Sequence, residues 1–304
     1  MVAITFPALA SINDAVNLAF NSQLYAAKTL YKEFTFDATS TGAAEVYPRL
    51  DMLTGLRQWV GDRVVKSLSQ ETFTITNQTF EETIGVKRED IEDDRYGILT
   101  PVAQELGQNA GRLPDLLIAQ TMVNGVTLLA YDGIPFFGAN HPNYTNTGAP
   151  TTVANYASGS GNPSWYLLDG TRVLKPFIFQ SRRPFRLVAK FSLTDPSVFF
   201  DNEFVWGVDG RCNAGLGLWQ LAYRGDNIMN LASLLAARTA MATLRRPDGA
   251  PMGIGQNGLL LVVPTALYAV AQQYCTNEFD PLAATLTPNT FRGLARAIEN
   301  PWLN

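Results

Sequence analysis

The chain has 304 residues, of which 46% are apolar and only 16% are charged. A chain of this length can bury a large core without disulfides or metals, and its apolar content excludes a disordered polymer. Charged residues are scarcer than the roughly 25% of an average soluble protein, so we expect much of the surface to be covered by other protein. The formal net charge of −4 has the wrong sign for a protein that grips phosphates over a whole face.

Histidine and cysteine are too rare for the commonest metal sites. His141 is the one histidine, so a single chain cannot supply a zinc site that needs two imidazoles. Cys212 and Cys275 have no C-x-x-C spacing, and we expect two buried, reduced thiols. The first basic residue is Lys28, which leaves no positive region for a secretory signal, and the longest apolar run, Leu259–Val263, is too short to span a membrane. These features predict a soluble intracellular chain.

The first predicted element is an amphipathic helix that Ser11 caps and that continues to about Ala27. Its apolar residues recur every three or four positions, which places them on one face of the helix. Ile12, Phe20 and Leu24 belong to this face. The pattern does not distinguish a core helix of the chain's own domain from an arm that lies on a neighbouring subunit.

The segment from Ala43 to Gly61 has neither a helical nor a strand period, yet it is rich in large side chains such as Leu53 and Trp59. Such a segment would be poorly stable in isolation, and we expect something outside the domain to support it. Two predicted strands follow at 71–76 and 80–86, each with one alternating apolar face.

An acidic run at 89–94 comes directly before a long predicted helix. Clustered carboxylates suit a divalent cation, but this spacing fits no calcium loop, and negative charge complements the dipole at the start of a helix. We favour the second interpretation. The helix begins at Thr100, with Pro101 in its first turn, and spans roughly 100–124, either as one helix kinked at Pro114 or as two helices.

Residues 132–164 are rich in Gly, Asn, Ser and Pro, which predicts a loop. Beyond this loop the sequence predicts strands at 174–180, 187–193 and 259–263 and helices at 231–244 and 265–274.

A dense basic cluster lies in the turn predicted between the first two of these strands. It contains Arg182, Arg183, Arg186 and Lys190. The cluster could contact nucleic-acid phosphates without sequence preference, pair with carboxylates of another subunit, or be a solvated turn. The residues alone leave these three alternatives open.

Motifs for catalysis and cofactor binding give weak signals. Gly253, Gly255 and Gly258 match the dinucleotide-binding string, but a helix precedes them and a strand follows, which reverses the order that the motif requires. His141 lies between turn residues, with no nucleophile elbow in the chain, and is expected to be a hydrogen-bonding loop residue. We therefore predict no catalytic residue, no cofactor and no metal.

Several aromatic and glycine-rich blocks in the second half are distinctive as a set. They are Trp165–Asp169 (WYLLD), Lys175–Gln180 (KPFIFQ), Val198-Phe199, Gly207–Asp209, Arg211–Asn213 and Gly217–Ala222 (GLWQLA), extended by Tyr131–Gly133, Phe136-Phe137, His141-Pro142, Val263-Pro264 and Trp302–Asn304. With these blocks in this order, the chain from about Asn77 to its end resembles the major head subunit (gpT) family of phage Mu and Mu-like prophages.

The resemblance implies an α+β fold, the HK-97-type major capsid fold of tailed-phage shells. It implies that the parts of this fold divide the chain as follows: an N-terminal arm (1–42), an extended loop (43–79), a peripheral domain (80–130 and 163–226) with a spine helix at about 100–124, and an axial domain (131–162 and 227–304).

The function implied is that of a structural major capsid protein, not an enzyme. Such a protein self-assembles into hexamers and pentamers that form the icosahedral head around a double-stranded DNA genome. The partners implied are further copies of the chain, a portal protein, a separate scaffold and protease during assembly, and packaged DNA held by weak, non-specific contacts, with no membrane. The chain would be assembled in the host bacterial cytoplasm and would reside in the virion capsid.

Under this interpretation the arm and the extended loop carry contacts between subunits. We expect these contacts at Ile12, Phe20, Leu24, Leu53, Arg57, Trp59 and Arg63. Arg182, Arg183 and Arg186 are expected to pair with phosphate or carboxylate groups. The alternatives are another phage structural protein, such as a decoration or tail-tube protein, and a nucleotide- or metal-dependent enzyme that would use the glycine string and the acidic run.

Overall fold

The computed structural model describes residues 6–48, 72–92, 99–192, 194–256 and 258–303. Its α-helices are α1 (Phe6–Ala26), α2 (Arg88–Glu92), α3 (Leu99–Asn124), α4 (Pro196–Asp201), α5 (Leu231–Ala242) and α6 (Thr265–Thr276). Its strands are β1 (Thr35–Thr39), β2 (Ala44–Pro48), β3 (Thr72–Thr76), β4 (Gln78–Lys87), β5 (His141–Tyr144), β6 (Pro150–Val153), β7 (Tyr156–Ala157), β8 (Trp165–Asp169), β9 (Phe177–Lys190), β10 (Glu203–Leu216), β11 (Ala222–Gly225), β12 (Leu259–Val263) and β13 (Ala295–Glu299).

The first sheet has the strand order β1-β9-β10-β4. The long strands β9 and β10 form an antiparallel hairpin, β4 runs antiparallel to β10, and β1 runs parallel to β9. Because side chains alternate along a strand, one face of β10 carries the buried residues Phe204, Trp206 and Val208. These three side chains pack in the two clusters that join the sheet to α1 and α3.

The predicted basic turn at 182–186 is wrong, because β9 continues through it as one strand. Pro184 has no N–H to donate, which is tolerated only at a free strand edge or a bulge. Here β1 pairs with β9 only up to Ser181, so one edge of β9 is free at Pro184, and the register with β10 shifts between Asp209 and Cys212. Pairing with β10 therefore overrides the local turn signal.

Helix α1 packs on α3 of its own chain. It begins at Phe6, so the predicted cap at Ser11 is wrong; the Ser11 Oγ instead donates to the carbonyl of Pro7 one turn earlier, at 3.1 Å. The close crossing depends on Gly107 of α3, where an added Cβ would lie 2.2 Å from the backbone oxygen of Phe20.

Helix α3 is one continuous helix with Pro114 inside it. The next residue, Asp115, is buried and accepts hydrogen bonds from the backbone N–H groups of Leu30 (2.9 Å) and Tyr31 (2.8 Å). Burial raises the pKa of Asp115 above its usual value, although both of these hydrogen bonds act to lower it. The carboxyl group thereby ties the chain after α1 to the middle of α3.

The second sheet has the strand order β13-β12-β8-β11-β7, and α5 and α6 pack against it. Its strands β8 and β12 are buried along their whole length, as expected for the continuous apolar run at 259–263. The predicted helices at 231–244 and 265–274 correspond to α5 and α6. The predicted loop at 132–164 contains the short hairpin β5–β6 and strand β7.

Strand pairing crosses two of the domain limits given above, which stay predictions. The range 163–226 was assigned to the peripheral domain, yet it contains β8 and β11, which pair with each other and, through β8, with β12 of the second sheet. Likewise, β1 lies within the predicted arm (1–42) but pairs with β9. Local sequence patterns do not report such pairing between distant segments.

The close crossing of α1 and α3 predicts that replacing Gly107 by alanine destabilises the chain. In an ordinary helix Gly→Ala stabilises by roughly 1 kcal/mol, but in Gly107→Ala the new methyl group must push α1 away from α3. We expect the free energy of unfolding to fall by about 1–3 kcal/mol, measured by urea denaturation of the unassembled chain. Glu105→Ala, an exposed position of the same helix, is the control and should change stability by less than about 0.5 kcal/mol. A stabilised Gly107→Ala variant would show that the crossing is loose.

Candidate functional site: surfaces for assembly

The segment predicted as the extended loop contains two paired strands, β2 near its start and β3 near its end. Strands β2 and β3 pair antiparallel, with Ala44 opposite Thr76 and Pro48 opposite Thr72. The four residues Leu53, Arg57, Trp59 and Arg63, predicted as contacts between subunits, lie outside the described residues.

A buried amide network fixes the base of this hairpin to the first sheet. Gln180 of β9 donates from Nε2 to the carbonyl of Ile75 (3.1 Å) and to Oδ1 of Asn77 (2.8 Å), and its Oε1 accepts from the Tyr47 hydroxyl (2.9 Å). Asn77 in turn donates to the Ser40 Oγ (2.8 Å). Gln180, Asn77 and Ser40 are all buried, so each polar group here depends on its partner.

The carboxylate of Glu45 stabilises the turn that precedes β2. The Glu45 Oε1 accepts hydrogen bonds from the backbone N–H groups of Thr41 (2.6 Å) and Gly42 (2.9 Å) and from the Ser40 hydroxyl (3.0 Å). The N–H groups of Gly42 and Thr41 make the largest contributions to lowering the pKa of Glu45. The sequence analysis did not predict the hydrogen bonds of Glu45 or the amide network. Single Gln, Asn and Glu residues give no local signal of which distant groups they bond.

The three predicted contact residues of α1 face their own chain. Phe20 is fully buried in a cluster with Leu106 and Val208, and Leu24 and Ile12 are partly buried against the same side of the helix. The surface that α1 presents outward instead carries Leu18 and Tyr25. These two are seven residues apart, which is the spacing of a second stripe on a helix.

The basic cluster forms an exposed row of side chains on β9. A carboxylate of the neighbouring strand β10 neutralises part of its charge. Arg182, Arg183 and Arg186 are exposed. Arg183 forms an ion pair with Asp209 of β10, and Arg186 is the direct cross-strand neighbour of that same Asp209. Only part of the cluster's positive charge is therefore available to an outside partner.

His141 is buried and stacks on Trp219 with ring centroids 4.0 Å apart. Its Nδ1 lies 2.7 Å from Oδ2 of Asp132 and its Nε2 lies 3.2 Å from the carbonyl oxygen of Phe136. The predicted hydrogen-bonding role is confirmed, although His141 begins β5, and the stack packs this segment against the short 3-10 helix Trp219–Leu221 that precedes β11.

Both cysteines are buried free thiols, as expected. Burial raises the pKa of Cys212 to about 12 and that of Cys275 to about 11. At neutral pH both are therefore protonated and are poor nucleophiles for disulfide formation.

The two remaining candidate motifs occupy ordinary structural positions. The acidic run contributes Glu89 and Asp90 to α2, while Asp93 and Asp94 lie outside the described residues. Across the part of the chain that the structure describes, no group of three His, Cys, Asp or Glu residues is placed to hold a metal ion, and no helix is long and apolar enough to cross a membrane. The glycine string at 253–258 lies between α5 and β12, in the predicted order.

Comparison with known proteins decides the family. A family profile described as Mu-like prophage major head subunit gpT matches residues 9–303. The chain belongs to the Mu-like gpT family. It is 34% identical to the major capsid protein of Escherichia phage Mu, over 93% of this chain and 94% of that protein. It is 30% identical to the FluMu prophage major head subunit of Haemophilus influenzae, over 90% of each chain.

A solved structure agrees with the family assignment. A chain in the procapsid of bacteriophage JBD30 matches with a TM-score of 0.84 and 35% identity, over 98% of this chain and all of that chain. The α+β fold of HK-97 type is therefore confirmed. As a gpT-family protein, the chain is a major head subunit of a Mu-like phage and a structural component of the capsid, not an enzyme. The decoration, tail-tube and enzyme alternatives are not supported.

The amide network of this gpT-family subunit predicts the effect of removing its central member. Gln180→Leu leaves buried Asn77 and Ile75 acceptors unpaired, which costs roughly 1–3 kcal/mol. We expect faster hydrogen exchange of the β2 and β3 amides, measured by mass spectrometry on the unassembled chain. Tyr47→Phe, which removes one hydrogen bond and leaves Asn77 paired, is the matched variant and should give a smaller increase. Unchanged exchange in Gln180→Leu would show that the hairpin is held by other contacts.

Proposed function

We propose that copies of this chain form the hexamers and pentamers of an icosahedral head that encloses double-stranded DNA. Family membership carries the proposal, and the surface supports it. The described residues expose large apolar side chains on several separate elements: Leu18, Tyr25, Val46, Val173, Phe199, Phe200, Leu282 and Leu286. Burying these residues against neighbouring copies would explain both their exposure and the low content of charge.

The division into parts follows the two sheets in this proposal. The first sheet with α3 forms the peripheral domain, and the second sheet with α5 and α6 forms the axial domain. The hairpin β2–β3 is the base of the extended loop, which reaches a neighbouring subunit through Leu53, Arg57, Trp59 and Arg63. In the arm, Leu18 and Tyr25 replace Phe20 as the contact residues, because Phe20 is fully buried in its own chain.

Assembly of a complete head is proposed to involve further proteins, although the chain alone is expected to form shells. The proposal includes a portal protein and a separate scaffold and protease, acting in the host bacterial cytoplasm. Many weak contacts between copies then add up to a closed shell, so that part of the stability of each subunit belongs to the assembly.

The decisive experiment asks whether the extended loop is needed for assembly and not for folding. We expect the full chain, expressed alone, to sediment in part as shells visible by negative-stain microscopy. A variant in which residues 49–71 are replaced by a short Gly-Ser turn should keep the wild-type urea midpoint, because the hairpin base and its Gln180 anchor remain. It should form no shells. Glu105→Ala, an exposed position of α3 that is not among the proposed contacts, is the control and should form shells as the wild-type chain does. Shells from the loop-replacement variant would contradict the proposal.

Contact with packaged DNA is proposed to be weak and non-specific. The net charge is −4, and one of the exposed arginines of β9, Arg183, is ion-paired with Asp209 of its own chain. We expect the unassembled subunit to bind duplex DNA with a dissociation constant above about 10⁻⁵ M at physiological salt, measured by fluorescence anisotropy. Arg182→Ser with Arg186→Ser should weaken even this binding and flatten its salt dependence. Tight binding with a steep salt dependence would contradict the proposal.

A further inference from the structure

His141 and Asp132 form a pair of ionisable side chains inside the protein. The exposed fractions of the two side chains are 0% and 3%. The Nδ1 atom of His141 lies 2.7 Å from Oδ2 of Asp132, and its Nε2 atom lies 3.2 Å from the carbonyl oxygen of Phe136. Each ring nitrogen therefore faces an oxygen atom that accepts hydrogen bonds.

The two oxygen atoms that face the ring are fixed as acceptors. The carbonyl oxygen of Phe136 carries no proton, and it also accepts from the side-chain amide of Asn155 at 2.8 Å. The other carboxylate oxygen of Asp132 accepts from the backbone N–H of Ile134 at 3.2 Å. A neutral imidazole has one donor nitrogen and one acceptor nitrogen, whereas an imidazolium donates from both. Only the imidazolium therefore satisfies both contacts of the ring.

The balance of charge in the buried pair favours the same state. Among the described residues, no arginine or lysine lies within ion-pair distance of Asp132. A neutral ring would leave the carboxylate as a buried charge without a counterion, which is strongly unfavourable. A doubly protonated ring makes the pair neutral overall, and the separation of 2.7 Å is typical of a charge-assisted hydrogen bond.

The other contacts of the ring are uncharged. Trp219 stacks on it with ring centroids 4.0 Å apart and an angle of 17° between the planes, and the face of an indole attracts a cation. Across the β5–β6 hairpin, His141 is opposite Val153. Asp132 is thus the ionisable partner of the ring among these contacts from its own segment, from β6 and from the 3-10 helix.

We propose that His141 is a doubly protonated imidazolium in the folded chain and acts as a pH-sensitive lock on residues 132–141. With both protons in place, the ring ties Asp132 and the carbonyl of Phe136 to Trp219. A rise in pH that removes one proton breaks one of the two hydrogen bonds and leaves a net negative charge buried in the pair. The segment is therefore locked at neutral pH and loosens on the alkaline side.

Nitrogen NMR of the unaltered full chain tests the protonation state directly. His141 is the one histidine, so histidine labelled with 15N in its ring gives signals from this residue alone, provided that no histidine tag is present. Correlations from each ring nitrogen to the carbon-bound ring protons show whether that nitrogen is protonated. We expect both to be protonated at pH 7.5, where an exposed histidine is about nine-tenths neutral. One unprotonated nitrogen at this pH would overturn the proposal.

Asp132→Asn is the matched variant for this measurement. Its amide group can donate to Nδ1 while its oxygen keeps the bond from Ile134, so a neutral ring satisfies both contacts. We expect Nδ1 to be unprotonated in this variant at pH 7.5. Asp14→Asn, at an exposed position of α1, is the control and should keep both nitrogens protonated. A doubly protonated ring in Asp132→Asn would contradict the role assigned to the carboxylate.

The pH dependence of unfolding is an independent measurement of the lock. Above about pH 7 the unfolded chain holds fewer protons at this site than the folded chain does, so the wild-type chain should lose stability as the pH rises. We expect its unfolding equilibrium constant to rise, relative to that of Asp132→Asn, by roughly fivefold to tenfold from pH 7 to pH 8, measured by urea denaturation of the unassembled chain. The same pH dependence in both chains would overturn the proposal. If the variant does not fold, the NMR measurement on the wild-type chain decides alone.

Discussion

The antiparallel pairing of β9 with β10 is the constraint on which the candidate assembly surfaces depend. At one end of this hairpin, Gln180 bonds Ile75 and Asn77, at the base of the proposed extended loop. In the middle, the exposed arginines lie beside Asp209, and at the far end α4 exposes Phe199 and Phe200. Because a strand pair fixes the spacing of its residues along its whole length, these three surfaces hold constant positions relative to one another.

The helices complete this frame by close packing. Gly107 of α3 lets the backbone of α1 approach closely, and Asp115 of α3 ties the segment that follows α1 to α3 through two buried hydrogen bonds. Apolar side chains that could otherwise bind other proteins, such as Phe20, are thereby buried within the chain. The apolar side chains that stay exposed lie on surfaces where a neighbouring copy is proposed to pack. The low content of charged residues agrees with such surfaces.

Sequence patterns predicted local elements well and pairing poorly. The run at 259–263 and the helical periods that follow it are strong signals, because burial selects the same side chains whatever the rest of the fold does. The basic turn was wrong because Pro184 is a turn signal in isolation and a tolerated edge residue beside β10. The arm was ambiguous for a related reason, since an apolar helix face does not say whether its partner is α3 or another subunit. The outward pair Phe199 and Phe200 carried a usable signal, because three successive apolar residues in one helix cannot all face the core.

By itself the sequence determined the apolar and charged balance, most helices and strands, and, through the order of its aromatic and glycine-rich blocks, the family and the kind of fold. These properties are local or add up along the chain, so they can be predicted without knowing which segments contact one another. Only the tertiary structure decided that β8 and β11 join the second sheet, that Gln180 and Asn77 form the anchor of the loop, and that Phe20 is inside while Leu18 and Tyr25 are outside. Each of those results depends on contacts between residues far apart in sequence, where packing and hydrogen bonding choose one partner among many that local chemistry permits.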